Sequence, residues 1–116
     1  MTDAVALREA ALREAALREA AMGIVLDALE SLNQELDLSD RVAVGPTTPL
    51  FGSDATMDSL SLVSVIVDVE TALTLKYDAP ISLTDDRAMS REISPFDDVA
   101  TLTDYIVELI SEIAPD

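Results

Sequence analysis

Few residues in this chain have side chains suited to catalysis. It contains no Cys and no His, so it lacks a thiolate nucleophile, the usual Zn ligands and the commonest general base at neutral pH. A triad built on Ser or Cys with His is excluded, and Lys76 is the sole lysine. Three Gly in the whole chain leave no room for a P-loop or a dinucleotide-binding glycine pattern. The adjacent acids Asp85-Asp86 and Asp97-Asp98 suggest paired carboxylates or Ca²⁺ ligands. They lack the spacing of a calcium loop, and acids placed at helix starts, where the dipole favours them, account for them better. No metal site is expected. What remains is a hydroxyl, Ser59, in the triplet Asp58-Ser59-Leu60. Taken alone, the triplet reads as a helix cap.

Its position is more informative than its composition. Before it, Asp37 to Met57 carry Gly45-Pro46, Pro49, Gly52 and Ser53-Asp54, which predict a long loop. Loops of this length in a small domain usually have a purpose. Val42, Val44, Leu50 and Phe51 are apolar enough that they should pack onto the body of the protein. After the triplet, about Asp58 to Leu75 reads as a helix. Leu60, Leu62, Val63, Val65, Ile66, Val67, Val69 and Leu73 cover well over half its wheel, and Ser61, Ser64, Asp68 and Thr71 share one polar arc. Such a helix must be wrapped on several sides or line an apolar cavity.

Three further helices complete the domain. Val25, Leu29, Leu32 and Leu36 give the first core helix, over about Met22 to Leu36. A short helix is expected around Thr84 to Met89, after Pro80 stops its predecessor. The last begins at Thr101, a good N-cap, with Asp104 as a short form of the capping box. Leu102, Tyr105, Ile106, Leu109, Ile110 and Ile113 form its stripe. The expected fold is all-α, an antiparallel four-helix bundle of three long helices and one short one.

Residues 1–21 stand apart from this 22–116 domain. Ala-Leu-Arg-Glu-Ala occurs three times between Ala6 and Ala20. Ala, Leu, Arg and Glu are strong helix formers, and Glu9–Arg13 and Glu14–Arg18 are i,i+4 pairs in the favourable order. A five-residue period advances about 140° per repeat, so Leu7, Leu12 and Leu17 form no stripe and no coiled-coil seam. The segment reads as a solvated helical extension running into the next helix. It looks like a tandem duplication or a designed rigid spacer, with oligomerisation the minor alternative and a monomer the expected state.

The chain carries 7 basic and 23 acidic residues, a net charge of −16. Asp3, Glu9, Glu14 and Glu19 nearly balance Arg8, Arg13 and Arg18, so the excess lies after Ala21. Such a surface repels nucleic acid and anionic lipid and suits partners with basic patches. The plainer account of the charge is solubility. No signal peptide or bilayer-length apolar run is read, and a cytoplasmic protein is expected.

The stretch Leu50-Phe51-Gly52-Ser53-Asp54-Ala55-Thr56-Met57-Asp58-Ser59-Leu60, continued by Leu62-Val63-Ser64-Val65-Ile66-Val67-Asp68-Val69-Glu70, resembles the acyl carrier proteins. Ile81, and Val99, Leu102, Asp104, Tyr105 and Ile106, resemble that family's residues before its short third helix and at the start of its last. The resemblance spans about Met22 to Ile113. It implies that Ser59 is esterified by 4′-phosphopantetheine, with Asp58 and Leu60 completing the attachment motif. Leu60, Val63 and Val67, the residues of the apolar arc nearest Ser59, are the candidates to flank an acyl cavity, with ordinary packing the plainer account of each. Ser61, Ser64 and Asp68 would face partner enzymes: a phosphopantetheinyl transferase and acyl-transferring enzymes with basic docking patches. A carrier needs no base of its own, because the modifying enzyme supplies it, and no Cys, because the thiol belongs to the cofactor. Fatty-acid carriers have acids where Ser61 and Ser64 stand, and the segment Arg87 to Phe96 is longer than the family's link. Both departures point to a specialised acyl or secondary-metabolite pathway. The glycines that precede the Ser of peptidyl carriers are absent.

The rival reading is an unmodified acidic helical module that binds a partner protein. An enzyme working through its carboxylates is the remotest reading, since bases and donors are missing.

Overall fold

A computed structural model of the chain describes residues 3–52, 55, 57–84, 88, 90 and 94–113. Among these, the chain is all-helical. Three α-helices run Ala4–Glu35 (α1), Ser59–Tyr77 (α2) and Val99–Ile113 (α3), with a single 3₁₀ turn at Leu38–Asp40. No helix among the described residues is long and apolar enough to cross a membrane.

α1 starts at Asp3, whose carboxylate accepts the Val5 amide at 2.9 Å, satisfying one of the donors a helix start leaves unpaired. The repeat and the first core helix form one unbroken rod. Residues 4–16 are exposed on every side, as a five-residue period demands. Contact with the core begins at Leu17, and the helix passes through residues 21 and 22 without a break. Ala21, Val25, Ala28, Leu29 and Leu32 are buried. Arg18 leaves its own helix and pairs with Asp104 on α3. Both side chains are well exposed, so the pair contributes well under about 1 kcal/mol.

The core is aliphatic. Val25 and Leu29 of α1 meet Val65, Val69 and Leu73 of α2, and Leu102, Tyr105, Ile106 and Ile110 of α3. Each fully buried side chain of this size contributes about 1.5–3 kcal/mol relative to an exposed one. α3 begins three residues earlier than its pattern suggests, its cap moving from Thr101 to Asp98. The Asp98 carboxylate accepts the Thr101 amide at 2.8 Å. Thr101 therefore lies in the first turn, and Asp104, expected to close a capping box, faces Arg18 instead.

Residues 36–58 form the long connection, and its anchoring is the part of the fold that positions the site. Asn33 of α1 holds Val42 of this loop with two hydrogen bonds: its Nδ2 donates to the Val42 carbonyl at 2.8 Å and its Oδ1 accepts the Val42 amide at 2.9 Å. Further on, the loop pairs backbone to backbone with the approach to α3. The Val99 amide donates to the Thr48 carbonyl at 3.1 Å, the Leu50 amide to the Asp97 carbonyl at 3.1 Å and the Ala100 amide to the Pro46 carbonyl at 2.9 Å. Val42 and Leu50 are buried as expected, but Val44 and Phe51 are exposed. The tied residues set the path, and these two fall on its outer side.

α2 ends at Tyr77 with Asp78 in the left-handed region, at φ 51°. Beyond Pro80, Ile81 and Leu83 return to the core, and the Leu83 amide donates to the Glu70 carboxylate at 2.7 Å. The expected short helix at Thr84–Met89 lies largely outside the described residues; Ala88 is helical and buried. Asp85-Asp86 also lie outside them.

Candidate functional site

Ser59 is the first residue of α2. It is a helix starter because Asp58 before it holds extended backbone, at φ −81° and ψ 173°, and turns its carboxylate onto the Ser61 amide at 2.8 Å. The same carboxyl is held below its ordinary value of 3.8 by hydrogen bonds from the Ser61 amide and hydroxyl. Asp58 is therefore the cap. Ser59 is spared that role and is exposed, its hydroxyl beside the positive end of the helix dipole. A group esterified there meets solvent, and a phosphate there meets the free N–H groups and positive dipole end of the helix start.

Beside Ser59 opens a cleft of about 420 Å³. Leu50, Phe51, Met57 and Leu62 give it an apolar lining, and Asp58 and Ser59 form part of its wall. Gly52, also in the lining, takes φ 110°, a conformation that L side chains avoid. A larger groove of about 600 Å³ runs between α1 and α3. It is walled by Glu14, Arg18, Asp104 and Glu108 and includes none of the Ser59 surroundings. Among the described residues, no cluster of acids could hold a metal ion.

The residues expected to flank an acyl cavity stand elsewhere. Leu60 is 76% exposed, Val63 53% and Val67 50%. Among the described residues, they are not part of the cleft beside Ser59, whereas Leu62, on the inner side, is. The reason is coverage: α1 and the core take only the arc of α2 that carries Val65, Ile66, Val69 and Leu73. Among the described residues, the helix is wrapped on one side rather than several. Leu60, Val63 and Val67 instead form an outward stripe at helical spacing, with Ser64 exposed among them. Of the residues expected to face partners, Ser64 and Asp68 are exposed on α2, whereas Ser61 is half-buried and engaged with Asp58. From Ser59 to Val67 there is no charged residue, although the chain as a whole is strongly anionic.

The cleft residues Leu50, Phe51 and Met57 were not singled out by sequence as parts of the site. Their signal was present, since Leu50-Phe51 is an apolar pair within a loop of Pro, Gly, Ser and Thr. Compared with family models, curated proteins and solved structures, the chain matches none.

Proposed function

We propose that this chain is an acyl carrier protein, holding acyl groups as thioesters on a 4′-phosphopantetheine arm attached to Ser59. The observation that carries the reading is an exposed serine opening an apolar helix, relieved of capping by the aspartate before it. Its fold is read as the four-helix carrier bundle, with the helical, buried Ala88 in keeping with the short helix. Attachment is an ordinary phosphoryl transfer. The Ser59 Oγ attacks the β-phosphorus of coenzyme A, the phosphoanhydride bond breaks and 3′,5′-ADP leaves. The hydroxyl proton passes to a base on the transferase, since the neighbouring Asp58 carboxylate is engaged as the cap on the Ser61 amide. When attached, the arm supplies the thiol that bears the acyl group. The chain's own residues orient the arm's root and present a docking face.

That face is the stripe of Leu60, Val63 and Val67, which lies where an enzyme reaching for Ser59 must rest. Isolated exposed leucines need no explanation. Several in a row beside the one reactive position do. The anionic surface around the stripe favours partners with an apolar patch rimmed by cations. The working partners would be a phosphopantetheinyl transferase and acyl-transferring enzymes of a specialised acyl pathway, in the cytoplasm.

The test is intact mass after incubation with coenzyme A and a promiscuous phosphopantetheinyl transferase. The mass rises by one arm in the wild type and stays fixed in Ser59→Ala. The same exposed stripe also suits an unmodified module that binds a partner protein. A chain left unmodified by transferases, yet retaining a partner through Leu60, Val63 and Val67, would establish that second reading.

A further inference from the structure

We infer that the cleft between the 50–57 loop and α2 is a seat for the root of the prosthetic arm, taking its geminal dimethyl group against Phe51, Met57 and Leu62. The inference rests on the carrier reading and adds to it a binding site for a defined part of the cofactor. Ser59 is itself a wall of the cleft, so any group esterified to its Oγ begins at the cleft's mouth. The first segment of the arm beyond the phosphate is the quaternary carbon with its two methyls, only a few bonds from Oγ. The hydroxyl, the two amides and the thiol lie further out. An apolar cleft beside the attachment point therefore meets the one apolar part of the arm, and the polar remainder stays in water.

Energetics favour occupancy even if the seat is weak. Burying one methyl-sized group shifts a partition about fourfold, so two shift it about fifteenfold. Tethering removes the translational cost and gives an effective concentration on the order of millimolar or above, so a site of only millimolar affinity is substantially filled. Phe51 is central to the argument. It is one of only two Phe in the chain, yet it is 58% exposed on the cleft's loop side. A ring this exposed beside the attachment point offers a face that a tethered dimethyl group would cover. A seated root would fix the direction in which the arm leaves the protein and so shorten the search for an enzyme's active site.

The experiment uses the full chain, ¹⁵N,¹³C-labelled and loaded with an unlabelled arm, after mass spectrometry has confirmed loading. Isotope-filtered NOE spectra should connect the arm's methyl protons to the Phe51 ring and to the Met57 and Leu62 methyls. The arm methyls should also shift upfield relative to free pantetheine by ring current. Phe51→Ala, at an exposed position, should keep the fold and, in whatever fraction is loaded, lose the upfield shift. Full loading with arm methyls at their free-solution shifts and no NOE to these residues would overturn the seat and leave the carrier reading intact. Failure to load at all would remove the carrier reading, and the seat with it.

Discussion

Thr48 tests whether the loop that delivers the chain to Ser59 is held as described. Its side chain is buried, and its Oγ1 does two things at once: it donates to the Ala43 carbonyl at 2.7 Å and accepts the Gly45 amide at 3.0 Å. Thr48→Val keeps the shape and removes both bonds, leaving two part-buried main-chain groups without their partner. Each lost bond is worth roughly 1 kcal/mol net, so the variant should lose about 2 kcal/mol. In a domain of this size the melting temperature should fall by about 8 °C. Thr48→Ser is the control. It keeps the oxygen and deletes one methyl, at about 1 kcal/mol. Urea titrations followed by circular dichroism would give both values, with an unchanged slope showing that the unfolded state is the same. A valine variant as stable as wild type, or a serine variant worse than the valine, would refute the assignment of the hydroxyl as the loop's tie.

Three further outcomes follow from the burial pattern and the cap. Leu73→Ala, at a fully buried position, should cost about 3 kcal/mol, whereas Leu60→Ala should change stability by less than about 0.5 kcal/mol; chemical denaturation separates them. The Asp58 carboxyl is lowered by its bonds to Ser61. Its stabilisation of α2 is therefore complete above its ordinary value of 3.8 and is lost as the pH falls through the lower folded value. An NMR titration of the Ser61 amide should report that midpoint below 3.8, and Asp58→Asn should abolish the transition. Val67→Asp, on the outer face of α2, should leave the melting curve unchanged and reduce modification by a transferase at least tenfold, read from initial rates of arm transfer.

Local patterns proved legible where one helix face decides the outcome. The spacing of Val25, Leu29 and Leu32 marks the buried side of α1, and Leu102, Tyr105, Ile106 and Ile110 mark that of α3, because each meets the core along one stripe. Residue type narrowed the cap of α2 to Asp58 or Ser59, and the carboxylate of Asp58 takes it. α2 resisted such reading. A helical wheel orders its residues by direction but does not say how many neighbours arrive, and Val63 and Val65 look alike until the packing leaves one outside. Long-range ties were also hidden. Nothing in the neighbourhood of Arg18 points to Asp104, and nothing near Thr48 points to Val99, because both contacts depend on where α3 is laid down. Asp98 displaced Thr101 as the cap for the same reason: the bridge from Pro49 to Asp98 fixes where α3 starts.

The rod formed by the repeat and α1 has a hydrodynamic consequence. At 32 residues it is about 48 Å long, and it stretches the molecule to 56 × 28 × 27 Å. The radius of gyration is 15.3 Å, where a compact domain of this length would give about 13 Å. On a column calibrated with spherical standards, a single copy will elute early and mimic a larger species. Its mass in solution is better taken from light scattering.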